Sequence, residues 1–249
     1  ARARTEMIAA LEALDRYAPD KKSFLTPRRE VKESVLFDEE SIEQAKDISA
    51  RIGGIVRQIN ETKSLVGRIA AQKASLEPWT ASDIPLEYTC GRQIHAIFGV
   101  IPITENPVDL SAALAEKSIP AIADVIHSDK EQSYIILVSY KDAQEEALSV
   151  LKAEGFSQTV FKDVHGTAAE NINQLENEAV TAEEKLQQLE AEIVALAPQR
   201  DLLEQSADAL NVESLREAAM SSMLHTEKTT YFEGWTPQAA EDAVAQVLE

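Results

Sequence analysis

What this sequence has little of says most about it. Among 249 residues there is one cysteine, Cys90, so no internal disulfide can form, and the composition fits a reducing compartment. Aromatic residues make up only 5%. Aromatics fill three-dimensional cores, whereas coiled-coil seams are filled by Leu, Ile and Ala, so a helical rod with small lobes suits the shortage. Basic residues are scarce too: 24 Lys and Arg against 43 Asp and Glu leave a net charge of −19. That balance argues against a nucleic-acid backbone and against an anionic membrane surface as direct partners. No apolar run is long enough to cross a bilayer. Glycine is absent from Gly166 until Gly234, and over that stretch only Pro198 could interrupt a helix.

The glycine-free stretch organises the chain. Its apolar positions Ile172, Leu175, Ala179, Ala182, Leu186, Leu189, Ile193 and Leu196 alternate in steps of three and four, the seam of a heptad. So narrow a face buries itself against one partner helix. A helix over 168–225 would be on the order of 85 Å long, too long for the interior of a compact domain. The reading is therefore an elongated object with one returning helix over 166–226.

Its partner lies earlier. From Ser41 to about Glu77 a second seam reads Ala45, Ile48, Ile52, Ile55, Ile59, Thr62, Val66, Ile69, Lys73 and Leu76. Gly53, Gly54 and Gly67 weaken this helix and imply either close approach of another backbone or a bend. A shorter helix over 5–17 carries Met7, Ile8, Leu11 and Leu14. The segment 19–40 holds Pro19, Pro27 and the basic residues Lys21, Lys22, Arg28 and Arg29, and reads as a loop. Residues 1–78 then form an outgoing arm with a proline-containing break, and the 5–17 helix prolongs that arm to match the longer, continuous return.

Residues 79–165 follow a different grammar. Strands are expected at Arg92–Pro102, Ala121–His127, Tyr134–Tyr140 and Phe156–Lys162. Helices are expected after an Asn106–Asp109 cap and over Ala143–Glu154, the second capped by Asp142 and stopped by Gly155. Tyr134–Tyr140 is nearly all apolar, as a strand covered on both faces would be. The order β-α-β-β-α-β is that of the ferredoxin-like split sandwich. The fold class is thus α+β: a long antiparallel helical hairpin with a ferredoxin-like lobe at the far end. Residues 227–249 repeat part of the lobe pattern, with Phe232-Glu233-Gly234-Trp235-Thr236-Pro237 echoing Ile97-Phe98-Gly99-Val100-Ile101-Pro102. They read as the strand and helix of a second, partial lobe whose other strands would lie upstream of Ala1. Both ends fall inside helical patterns, as in a piece of a longer protein.

No catalytic pattern stands out. His95, His127, His165 and His225 lack metal-ligand spacing, and His95 and His127, which could approach each other in the sheet, read as surface residues. No phosphate loop, nucleophile elbow or HExxH is present. The carboxylate pairs sit on solvated helix faces or caps. A ferredoxin-like sheet can bind RNA through aromatics, but these strands offer mostly Ile, Ala, Val and Leu. The expectation is no enzyme, no cofactor and no metal.

Leu76-Glu77-Pro78-Trp79, Phe98-Gly99-Val100-Ile101-Pro102 and Tyr231-Phe232-Glu233-Gly234-Trp235-Thr236-Pro237, in this order around a helical hairpin, resemble the cytoplasmic N-terminal half of the rotary V/A-type ATPase subunit I (subunit a). That resemblance implies a dumbbell lying at the cytoplasmic face of a membrane, the soluble part of a membrane complex. It implies a stator that links peripheral-stalk heterodimers to a membrane-embedded, ion-translocating half and borders the central-stalk cap and rotor. The membrane half is not in this sequence, so no ion-path residue carries over. Ile52, Ile55, Ile59, Val66, Ile69, Ile172, Leu175, Leu186, Leu189, Ile193 and Leu196 would be structural seam residues. Gly99, Pro102, Gly234, Trp235 and Pro237 would be lobe turn residues. A scaffold or ligand-sensing module with a ferredoxin-like lobe is the alternative, and it would need a polar pocket in the lobe.

Overall fold

The structure, a computed structural model, describes residues 2–20, 31–87, 93–103, 109–161, 164–225, 227, 229–231 and 233–248. Cys90, Lys21, Lys22, Arg28, Arg29 and the Asn106–Val108 part of the expected cap lie outside them. The chain divides into two compact units, Ile59–Gln188 on one hand and Ala1–Gln58 with Leu189–Glu249 on the other.

In the unit Ile59–Gln188, helix α3 (Glu39–Leu76) delivers its last turns and ends at a 3₁₀ turn, Glu77–Trp79, where Pro78 cannot continue the backbone ladder. The lobe follows as β1 (Ile94–Pro102), α4 (Leu110–Glu116), β2 (Ala121–Ser128), β3 (Gln132–Tyr140), α5 (Gln144–Ala153) and β4 (Ser157–Gln158). The sheet order is β2-β3-β1-β4, antiparallel throughout, as the split βαβ order requires. Helix α6 (Ala168–Ala195) then leaves the lobe from a reciprocal cap. The Glu170 N–H donates to Thr167 Oγ1 at 3.2 Å, and the Thr167 N–H to Glu170 Oε2 at 2.8 Å.

Strand β3 is apolar because both its faces are covered. Ile135 and Leu137 join Ile97, Leu114, Ala147 and Leu151 beneath the two lobe helices. Ile136 faces the other way, with Phe98, Leu76, Trp79 and Leu86. Asp109 caps α4 by accepting from the Ala112 N–H at 3.0 Å. Asp142 does not cap α5, which starts after a 3₁₀ turn at Lys141–Ala143 with no side-chain cap. Gly155, at φ +87°, ends α5 as its left-handed backbone demands. The last strand is shorter than the expected Phe156–Lys162. Among the described residues it pairs Gly99 with Gln158 and Val100 with Ser157.

In the other unit, α1 (Arg2–Tyr17) packs along α7 (Arg200–Ser222); α1 buries Met7, Ala10, Ala13 and Leu14, and α7 buries Leu203, Ala207 and Ala209 among others. α1 is not strung end to end with α3 but overlaps its start, and it flanks the part of the return that α3, which meets Ser206 at Ser41, does not reach. Its apolar face needs a partner, and it finds one beside the part of α7 that also meets the start of α3. The returning segment is not one continuous helix either. Proline at the first turn of a new helix is well tolerated, and here Ala197–Gln199 forms a 3₁₀ turn that separates α6 from α7. A short helix, α2 (Glu33–Leu36), reaches α7 where Arg216 binds Glu33 Oε1 at 2.7 Å and lies over the Phe37 ring at 4.7 Å.

Near the end of the chain, β5 (Leu224–His225) pairs with β6 (Thr230–Tyr231). Of the strand expected in 227–249, the described residues show Thr230–Tyr231, and Phe232 lies outside them. A 3₁₀ turn, Gln238–Ala240, leads into α8 (Glu241–Leu248).

Candidate functional site

Among the described residues the chemistry-bearing side chains do not converge; what converges is a mechanical junction. Trp79, at the end of the outgoing helix, is almost completely buried. Its ring meets Phe98 of β1, Tyr134 of β3 and Phe161 edge-on, at centroid separations of 5.5, 5.2 and 5.5 Å and angles near 90°. Phe98 meets Phe161 the same way at 5.6 Å. Ala168, Ile172 and Leu175 of α6 pack on the same cluster as Leu76 of α3. One sheet face is therefore clamped onto the ends of two antiparallel helices, and Lys73 Nζ binds Glu176 Oε1 at 2.8 Å across them.

Tyr134 is part of this clamp. Its hydroxyl donates to Asp129 Oδ2 at 3.0 Å and accepts from Gln132 Nε2 at 2.8 Å. Asp129 also accepts from the Glu131 and Gln132 backbone N–H groups, which hold its carboxyl below the usual range.

The seam residues fall as follows. Ile52, Ile55, Ile59 and Ile69 are buried and Val66 is half-buried. On the return, Leu189 and Ile193 are buried, and Ile172, Leu175, Leu186 and Leu196 are half-buried. Gly99 is no turn residue. It lies mid-strand, where a methyl group would overlap the Phe156 ring and the Ser157 carbonyl oxygen. Pro102 ends β1 against Gly155. Among the described residues, none comes within 4 Å of a methyl group placed on Gly234, and Trp235 is fully exposed. Pro237 precedes the last 3₁₀ turn, its carbonyl accepting from the Ala240 N–H at 2.8 Å.

His95 and His127 do not meet. β3 lies between their strands, with His95 opposite Ser139 and His127 opposite Tyr134 at the other end. His95 is buried against Gln144. No group of three or more potential metal ligands occurs among the described residues, and none of the described helices is long and apolar enough to cross a membrane.

No protein-family model matches the chain. It is 24% identical over 242 residues to the A-type ATP synthase subunit I of Methanocaldococcus jannaschii, an alignment covering 92% of this chain and 35% of that protein. The chain thus spans about a third of that relative's length. Among solved structures, the cytoplasmic N-terminal domain of subunit I, homolog of subunit a of V-ATPase, superimposes with a TM-score of 0.56. The match covers 99% of this chain and 81% of that one at 15% identity. The fold is that of the subunit I cytoplasmic domain.

Within the subunit I fold, the motifs quoted from the sequence do unequal work. Leu76-Glu77-Pro78-Trp79 supplies the clamp, and Phe98-Gly99 supplies its floor and its close approach to β4. Among the described residues, nothing packs against Gly234 or Trp235. The clamp partners Tyr134 and Phe161 were not legible as such, because nothing local ties four aromatics so far apart in sequence. The one available signal was their rarity: a chain this poor in aromatics places them where large rings are needed.

Proposed function

We propose that this chain is the cytoplasmic stator part of a rotary V/A-type ATPase. It would link peripheral-stalk heterodimers to a membrane-embedded, ion-translocating half and oppose the torque of the rotor, without a catalytic role of its own. The Trp79 clamp is the observation that carries this reading. A stator must pass a force applied at a lobe into its helices, and a lobe on a single flexible linker would swivel instead. Here two helix ends and three edge-on aromatic contacts hold the sheet, so load on the lobe enters both helices. Two helices joined by a buried seam resist bending better than one. The likeness to A-type ATP synthase subunit I supports the same reading. The lobes are the surfaces for stalk termini and for the central-stalk cap and rotor region; the seam is structural. The proposed location is the cytoplasmic side of the membrane, and the ion path belongs to the membrane half.

Calorimetric titration of the 249-residue chain with a purified peripheral-stalk heterodimer tests this. Binding at tens of micromolar or tighter is expected, weakened when Trp79→Ala loosens the lobe. No binding at those concentrations overturns the stator reading.

A further inference from the structure

Three glycines lie in α3, and packing requires none of them. A methyl group at Gly53, Gly54 or Gly67 would meet no atom of the described residues within 4 Å, and none of the three has a positive φ. The close backbone approach that would justify a glycine is absent at all three. Their remaining physical effect is to soften the helix, because glycine has the most backbone freedom to regain on opening.

Gly53–Gly54 differs from Gly67 in what stands across from it. The Ser206 hydroxyl donates to the Ser41 carbonyl at 3.5 Å, which sets the level of α3 against α7. Equal numbers of residues from that contact bring Gly53 level with Val194, one turn from Ala197. There the returning chain is weak as well. The Leu196 N–H bonds Ile193 O, and the Gln199 N–H bonds Leu196 O, each at 3.0 Å in the tighter 3₁₀ pattern, while Pro198 has no N–H to give. The bracing third helix stops at the same level. α1 ends at Tyr17, where Arg200 binds Asp15 and donates to the Ala18 carbonyl at 2.9 Å. A cleft of about 350 Å³ lies between Ala18–Asp20 and Ala197–Asp201.

We propose that Gly53–Gly54 and Ala197–Gln199 form a single joint, at which the two antiparallel helices open and close their backbone hydrogen bonds as one coupled unit. Arg200, fixed to the end of α1, bounds the joint on one side. The inference concerns the chain itself and does not rest on the stator reading, so a rigid joint would leave stalk binding untouched.

Hydrogen exchange by mass spectrometry on the 249-residue chain tests it. Amides 53–58 should exchange faster than amides 45–50 and 60–66. The double variant Gly53→Ala/Gly54→Ala adds side chains into open space and should slow exchange at 53–58 by roughly fivefold per substitution. The decisive readout is across the pair. The same variant should slow amides 196–201 by about threefold or more, and Pro198→Ala should slow 53–58 in return, because coupling is reciprocal. Gly67→Ala should slow only its own turn. Effects confined to the substituted helix, or a wild-type 53–58 segment as protected as its flanks, would overturn the joint.

Discussion

Alanine at Gly99 would show how the lobe's sheet is closed. The added methyl lies well inside contact with two carbons of the Phe156 ring and with the Ser157 carbonyl oxygen. The ring can turn aside, giving up part of a burial worth about 1.5–3 kcal/mol. The carbonyl belongs to the backbone and cannot. To make room, β4 must draw away, opening the Gly99–Gln158 pairing and the 2.8 Å bond from the Thr159 N–H to Phe98 O. Each lost bond costs about 0.5–1.5 kcal/mol. The sum is about 2–4 kcal/mol. Trp79 reports on it directly, since Phe98 beside Gly99 is one of its ring contacts. A Trp235→Phe background removes the fully exposed indole, so urea unfolding can be followed by Trp79 fluorescence alone. At an m-value of about 1–3 kcal/mol/M the midpoint should fall by on the order of 1 M. Gly234→Ala, with nothing near the new methyl, should stay within about 0.5 kcal/mol of its parent. If Gly99→Ala is equally neutral, the close approach of β4 to β1 is wrong, and with it the account of why a glycine sits mid-strand.

Trp79→Ala should cost about 3–5 kcal/mol and flatten the near-ultraviolet circular dichroism, as a large aromatic is lost from a filled site; Trp79→Phe should recover part of both. Asp15→Ala leaves the buried Arg200 guanidinium with the Ala18 carbonyl, and because Asp15 itself is largely exposed the loss should be about 1–2 kcal/mol in thermal unfolding, well below that of a fully buried pair. Asp129 has a folded pKa below its unfolded one, so its stabilisation is full above the unfolded value, near 4, and fades as pH falls through the lower folded value. Acid titration of wild type against Asp129→Asn should therefore diverge above that window and converge below it.

Much of this was written in spacing. The alternation in threes and fours marks the residues that α3 and α6 turn inward, because a helix buried along one line leaves its partners no other positions. The β-α-β-β-α-β order was legible because Gly155 and the apolar run Tyr134–Tyr140 punctuate it. What spacing does not contain is the partner. The amphipathic pattern of residues 5–17 announces a buried face without saying that α7 covers it. Pro198 shows that a ladder bond is missing, yet whether the helix kinks or restarts depends on its surroundings. Nor does spacing say why a glycine sits mid-strand: Gly99 is required by β4, a neighbour more than fifty residues on.

The scarcity of aromatics then has a structural use. A seam of Ile, Leu and Ala repeats every seven residues, so two helices slid by one heptad would bury nearly the same surface. The seam supplies adhesion but little register. The Lys73–Glu176 pair cannot supply it either, since an ion pair this exposed is worth about 0–1 kcal/mol. The Trp79 site can. Three edge-on contacts at about 0.5–1.5 kcal/mol each, added to the burial of the largest side chain, exist at one level of the helix pair only. A slide by one heptad, on the order of 10 Å of rise, would pull Trp79 out of its site. The lobe therefore sets the register of the helices that carry it, and the few aromatics of this sequence sit where a repeating seam has no information to offer.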